Sequence, residues 1–288
     1  MMRSVIRPAA TAIVAMVVAL VAGCGGGGGG ASGQDMTAGL SPTELLSRSA
    51  GAARALTSFR IAVDATGRID LSPSASFPGA SLLSGPLAIS GEGPVQPPDR
   101  ASIDARLDLG SFSPQVNLTR VGDEVFVGLL GQDFRLALAP EQVALLDLDS
   151  LYPTLAGWMT TPKEAGREDV DGASTVKLTG GIDAGAAFAD LSPLLQSATG
   201  QAVLVPTRRL KAAVKEGTAE VWIGTEDLRP RRVHIVLKAD GTGIVDGVGA
   251  LAIDLTATLS AFDEPVDIRA PRNPRDLDLN QLGSLTGG

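Results

Sequence analysis

Among 288 residues there is one cysteine and one histidine, Cys24 and His234, so the chemistry open to side chains is limited at the outset. Zinc sites of Cys/His type and H-E-x-x-H metalloproteases are excluded by count. A Ser/His/acid triad would have to use His234, which falls on the polar face of the alternating stretch Arg232 to Lys238, between basic neighbours, and no G-x-S-x-G elbow occurs. An exposed strand histidine is the reading that follows. Asp276, Asp278 and Asn280 imitate the start of a calcium loop, but Gln281 replaces the glycine and Gly287 the final glutamate. Gly25 to Gly30 contains the G-x-G-x-x-G spacing trivially, without a strand before it or a helix after it. The residues therefore point to no enzyme, no metal and no cofactor.

Cys24 has a different chemistry. Arg3 and Arg7 precede a run from Ala9 to Val21 that only Thr11 interrupts, which is the plan of a signal peptide and too short for a comfortable permanent span. Val21-Ala22-Gly23-Cys24 resembles a bacterial lipobox, with valine where leucine is commoner. The resemblance implies cleavage after Gly23 and diacylglycerol on the sulfur of Cys24, which makes Cys24 the lipid attachment site. Two or more chains, at about 0.8 kcal/mol per buried CH₂, hold a protein on a membrane where one does not. The alternative is a plain secretory signal with a stray cysteine. On the lipobox reading residues 1–23 are removed, 24–39 form a flexible tether rich in glycine, and the body is extracytoplasmic, on the outer face of the cytoplasmic membrane.

Charge and composition narrow the partners. Removing Met1–Gly23 takes away two of 24 basic residues and none of 32 acidic ones, moving the formal charge from −8 to −10. An acidic body does not suit nucleic acid. Aromatics are 3% of the chain, too few for the stacking platforms of a sugar site. No second apolar run approaches the length of a span. Residues 40–270 read as a single domain and 271–288 as a solvated, disordered tail.

Ser41-Pro42-Thr43-Glu44 is a capping box that starts a short helix with Leu45, Ala52, Ala53 and Leu56 on one face. The period then changes to two, which marks strands with one apolar and one wet face. Phe59, Ile61 and Val63 alternate with Arg60 and Asp64, and Ile103, Ala105 and Leu107 alternate with Asp104, Arg106 and Asp108. Val116 and Leu118 run into a Gly122-Asp123 turn, and later strands cover 175–182, 218–224, 232–238 and 251–261, the last with Ile253 and Leu255 inward. Helices are expected at 140–148, 151–158, 183–199 and 207–215, with Phe188, Leu191 and Leu195 on one face of the third, which Pro193 divides. Strand runs broken by helical blocks indicate an α+β protein, an antiparallel sheet with helices over one face. Periodicity alone favours a filled core over a cavity.

Four places together resemble the LppX/LprG (LppX/LprAFG) group of mycobacterial and related actinobacterial lipoproteins. They are the lipobox, Glu44-Leu45-Leu46 through Ala55-Leu56-Thr57-Ser58-Phe59-Arg60, Gly166-Arg167-Glu168-Asp169-Val170-Asp171-Gly172, and Leu259-Ser260-Ala261-Phe262-Asp263-Glu264-Pro265-Val266-Asp267-Ile268. The stretch Ser72–Ser84 and the six glycines depart from that group's pattern. The resemblance implies a strongly curved antiparallel half-barrel with helices on its concave face, like outer-membrane lipoprotein carriers. It further implies a hydrophobic cavity that binds acyl lipids or lipoglycans and carries or presents them in the cell envelope, with an envelope lipid exporter as a partner. The alternating residues that would line such a cavity are Ile61, Val63, Ile103, Leu107, Val116, Leu118, Ile253 and Leu255 from the strands and Phe188, Leu191 and Leu195 from the helix. Arg231 and Arg232, in one of two basic clusters, are candidate headgroup contacts, with a solvated turn as the blander reading. The alternative function is a non-carrier envelope lipoprotein that uses the same fold to bind a protein or sense stress.

Overall fold

The computed structural model describes residues 34–71, 85–108, 113–137, 148–187, 189–190, 213–242 and 248–277. Asp35–Gly288 form one compact unit. Its frame is a sheet of β1 (Phe59–Leu71), β2 (Gly85–Gln96), β3 (Arg100–Asp108), β4 (Gln115–Val121), β5 (Glu124–Leu129), β6 (Gln132–Leu136), β7 (Met159–Val170), β8 (Ala173–Ile182), β9 (Val214–Gly224), β10 (Pro230–Asp240), β11 (Val248–Ser260) and β12 (Arg275–Leu277). The order across it is β12-β6-β5-β4-β3-β2-β1-β11-β10-β9-β8-β7. Every described pairing is antiparallel except β12 with β6. The expected α+β half-barrel is the observed fold.

Helices α1 (Pro42–Arg54) and α2 (Leu148–Trp158) lie on one face, and the described residues 184–187 are also helical, with Ala187 in the same core. In α1 the capping box forms as expected: Glu44 N–H donates to Ser41 Oγ at 3.3 Å, and Glu44 Oε2 accepts from Ser41 N at 2.9 Å. These bonds to Ser41, backbone first, hold the Glu44 carboxyl below its ordinary pKa. The buried stripe is Leu45, Leu46, Ser49, Ala50 and Ala53, and it packs on α2 and on β7, β9 and β10. Ser49 belongs to it because the Tyr152 hydroxyl, from α2, donates to Ser49 Oγ at 2.9 Å. Burial pushes that phenol's pKa upward, and the bond to Ser49 offsets it only in part.

Strand residues supply the rest of the core. Val176, Leu178, Val221, Ile223, Val233 and Ile235 meet the two helices in one cluster. Leu56, Phe59, Ile61, Val95, Ala101 and Leu259 form a second, with Val63, Ile103 and Phe262 against it. At β2 the strands approach so closely that a Cβ on Gly93 would lie 1.9 Å from the Ser102 carbonyl oxygen, so only glycine fits.

The sheet has two unlike ends. At one, here the turn end, short turns join β7 to β8, β9 to β10, β2 to β3 and β4 to β5. A C-terminal strap crosses this end after β11. Asp263 N–H donates to Ser58 O at 2.8 Å, Ser58 Oγ–H to Glu264 O at 2.5 Å, and Arg100 Nη1 to the carbonyl of buried Ile268 at 3.0 Å. The strap ends as β12, where Arg275 Nη1 donates to Gln132 Oε1 at 3.0 Å. The β5–β6 turn lies at the opposite, loop end, with the strand ends Leu71, Gly85, Asp108, Gln115, Asp240 and Val248.

Two expectations change. Residues 275–277 are a strand and not part of a tail, because β6 offers them an unpaired edge. Val214 and Lys215, expected in a helix, begin β9, with Val214 opposite Ala239. Strands β2, β6 and β7 had no alternation to announce them. Residues 140–147 and 207–212, where helices are expected, lie outside the described residues, as does all but the start of the helix expected at 183–199.

Candidate functional site

Directly opposed residues in an antiparallel sheet share a face, so the registers define rows. One row runs Leu178, Val221, Val233, Ala257, Val63, Gly91, Ala105, Val116, Leu129. The next runs Ala219, Ile235, Leu255, Ala65, Ile89, Leu107. A third holds Leu237, Ile253, Gly67 and Leu87. All eight strand residues named as lining candidates lie on this one apolar face. Phe188, Leu191 and Leu195 lie outside the residues whose side chains are described, and Cys24 outside the described residues altogether.

The face is unevenly covered. Over β8 to β10 it is sealed by α1 and α2, and Val176, Leu178, Val221 and Val233 are buried. Over β1 to β4 the same rows are only half-buried: Val63, Ala65, Leu107, Val116, Leu118 and, on β11, Ile253 and Leu255. Ile89 is 44% exposed. Ile61 differs, since at 3% exposed it belongs to the second core cluster near the turn end. The described packing thus leaves an apolar strip of valine, leucine, isoleucine and alanine, with no ring in it, on the loop-end half of β1 to β4.

The other face is polar. A groove of about 1050 Å³ opens along β1 to β6, lined by Asp64, Glu92, Asp104, Arg106, Asn117 and Asp133 of this face and also by Val63, Ala105, Val116 and Leu129 of the apolar row and by Leu130 in the β5–β6 turn. Further along the same face His234 lies half-buried between two carboxylates, Nδ1 at 3.1 Å from Glu220 Oε2 and Nε2 at 3.0 Å from Asp254 Oδ1. Lys177 Nζ is 2.8 Å from Glu220 Oε1. Burial works to raise the Glu220 pKa, but the bonds from Lys177 and His234 outweigh it and the carboxyl is lowered. This is an ionic ladder across β8, β9, β10 and β11, and it holds no nucleophile. Among the described residues no three of His, Cys, Asp and Glu are placed to hold a metal ion, and no helix is long and apolar enough to cross a membrane.

The two candidate headgroup arginines do not converge. Arg231 Nη2 lies 2.5 Å from Asp227 Oδ2, and its guanidinium stands 4.6 Å from the centre of the Phe262 ring. Arg229 flanks the same ring at 5.3 Å and bonds Asp263 Oδ2 at 2.5 Å. Asp263 also accepts from Thr57 N and Oγ, and these bonds, with the Arg229 charge, hold its carboxyl below the usual value. Arg232 instead stands 5.7 Å from the Trp222 ring, which Lys177 approaches from 4.6 Å on the polar face. Arg229 and Arg231 thus clamp Phe262, at the root of the strap; the sequence placed Arg231 and Phe262 in separate motifs and gave no sign that they meet.

A further cluster fixes the start of the body. Met36 N–H donates to Thr225 O at 2.7 Å, and Arg167 Nη1 to Asp35 Oδ2 at 2.6 Å. Bonds from Thr37 and then Arg167 hold the Asp35 carboxyl down, at about 2. The N-terminal segment is therefore docked at the turn end, away from the exposed strip.

No family profile and no curated protein matches the sequence. Solved structures do. Lipoprotein LppX of Mycobacterium tuberculosis is 20% identical, covering 80% of this chain and 100% of that one, with a TM-score of 0.41. LprF of Mycobacterium bovis is 16% identical over 80% of this chain and 96% of that one, TM-score 0.44. A LolA superfamily protein of Nitrosomonas europaea is 9% identical over 78% and 96%, TM-score 0.29. LppX is the protein after which the group named from the sequence is called.

Proposed function

We propose that this protein is a membrane-anchored lipoprotein whose body binds an acyl lipid or lipoglycan along the apolar face of its half-barrel and carries or presents it in the cell envelope. The observation that carries the reading is the uneven cover of that face: rows sealed over β8 to β10 continue as a half-buried aliphatic strip over β1 to β4. A face of this kind is stable in water only if something apolar lies on it. Aliphatic walls without rings make no directional demand, so the strip suits flexible chains, each buried CH₂ contributing about 0.8 kcal/mol. The strap crosses the turn end, and we assign entry to the opposite end. Cys24, following its apolar run, supplies the anchor on the outer face of the cytoplasmic membrane, and an envelope lipid exporter would load or empty the body.

The test is direct. Protein from Asp35 onward, purified without detergent, should copurify with acyl lipid detected by mass spectrometry and, once stripped, take up a fluorescent fatty acyl probe. An empty protein that also ignores the probe refutes the reading. The groove along β1 to β6 favours a second one, a module that binds a protein partner there. A pulled-down partner whose binding is lost with Asp104→Arg, in a protein that takes no acyl probe, would establish it instead.

A further inference from the structure

Hairpin β5–β6 turns through two residues, Leu130 and Gly131, both with left-handed backbone, φ 53° and 76°. Such a two-residue turn is the natural place for Asn-Gly or Asp-Gly, because a leucine Cβ is crowded there. The other described non-glycine residues at positive φ are Thr161, Asp171, Leu228, Ala261, Asp263 and Asn273, so two of the seven are large and apolar. The two leucines differ in what the fold returns. Leu228, at φ 57°, is 6% exposed and belongs to the main core, which offsets the strained backbone. Leu130 is 90% exposed. Among the described residues no packing offsets its conformation, and a strained residue without such compensation points to a contact outside the fold.

Its position says what that contact is. The turn lies at the loop end, opposite the strap, and Leu129, beside it, is the last residue of the apolar row that contains Val63, Ala105 and Val116. Exposed Ile89 lies on the neighbouring row at the same end. We propose that Leu130 is a tip that enters a lipid surface, bringing the loop end of the apolar strip against the bilayer; the proposal rests on the reading that the body handles acyl lipid. Leu130 and Gly131 stand on the rim of the groove that carries Asp64, Glu92, Asp104 and Asp133 against Arg106, so the matching surface is one without net negative charge.

Leu130→Asn tests it, because asparagine suits the turn better than leucine. The body should keep or raise its melting temperature and its affinity for an acyl probe offered in solution. Transfer of the probe from phosphatidylcholine vesicles should slow by about tenfold or more, the effect of one leucine side chain no longer entering the bilayer. Adding phosphatidylglycerol to the vesicles should slow transfer by the wild type. Transfer at the wild-type rate by Leu130→Asn overturns the proposal, and so does a lower melting temperature, which would give the leucine a structural role. A second variant is independent of carriage: Trp158 and Trp222 are buried, so emission of a tryptophan in Leu130→Trp that is quenched by brominated phosphatidylcholine supports the tip, and unquenched emission sinks it. A body that takes no probe from solution while Leu130→Trp is quenched would refute the carrier and leave the tip.

Discussion

Ile89 and Ile61 occupy the same face of adjacent strands, yet the uneven cover of that face predicts opposite consequences for changing them. Fully burying an isoleucine side chain stabilises by about 1.5–3 kcal/mol. With Ile89 44% exposed, about half of that, roughly 0.7–1.3 kcal/mol, is left for a ligand to gain. Ile89→Ala should therefore weaken an acyl probe by about three- to tenfold. Ile89→Glu should weaken it by roughly a further tenfold or more, because a carboxylate under an acyl chain must be desolvated or keep its water. Neither change removes a fully packed side chain, so both proteins should unfold cooperatively and within a few degrees of the wild type. Ile61→Ala, in the second core cluster, should cost about 2–5 kcal/mol of stability and leave the probe affinity of the folded fraction nearly unchanged. Probe titration gives the affinity, and the emission of Trp158 and Trp222 follows unfolding. A folded Ile89→Glu that binds the probe within about twofold of wild type would show that chains do not lie over β2, and the reading of the exposed strip would fail.

Other consequences follow from particular contacts. Asp35 is lowered from 3.8 to about 2, so docking of the N-terminal segment is fully present above the unfolded value and is lost as pH falls through the folded one, between about pH 4 and pH 2. Hydrogen exchange at the Met36 amide should report this, and Arg167→Ala should raise that exchange already at neutral pH; protection that ignores both changes refutes the clip. Tyr152 is the only tyrosine, so an absorbance titration should show tyrosinate only as the protein unfolds at high pH, and Tyr152→Phe should destabilise by about 1–2 kcal/mol. Ionisation near pH 10 in folded protein would contradict the burial. Arg232→Gln should weaken anionic lipid relative to a neutral acyl probe if that arginine meets a headgroup, and equal binding of the two removes the role. Arg231→Gln should instead lower the melting temperature, since it strips the clamp on Phe262.

How legible the fold was depended on which side of each strand met the core. Strands β1, β3, β4 and β11 have one wet and one apolar face, and their period of two was plain. β7 lies at the sheet edge, and residues 160–161 and 163–169 are exposed, so Lys163, Glu164, Arg167, Glu168 and Asp169 obscure any alternation while protecting the edge from pairing with other chains. β2 carries Gly85, Pro86, Gly91, Gly93 and Pro94, which read as loop signals, although Gly93 is required by the close approach of the Ser102 carbonyl. The start of β9 was lost for a third reason: Leu210, Ala213 and Val214 match a helical period, and only pairing with β10 decides for a strand from Val214 onward. The site was legible to the same extent. All eight strand residues assigned to the apolar face lie on it, because alternation fixes a face once the period is known. Which half of that face stays open was not legible, since cover depends on where α1 and α2 pack.

That division also bears on how a carrier of this design would work. The half under α1 and α2 has isoleucine, valine and leucine packed to the density of a core, and it keeps the sheet folded whether or not a chain is bound. The half over β1 to β4 can then remain half-covered without unfolding the body, which allows a ligand to leave. A face sealed throughout would hold nothing, and a face open throughout would not fold empty. The partition predicts that removing bound lipid lowers the melting temperature only by the mass-action term of the ligand and leaves unfolding cooperative. A stripped protein that loses near-ultraviolet dichroism, or melts without cooperativity, would show that the ligand is part of the core and that the helices over β8 to β10 do not suffice to hold the sheet.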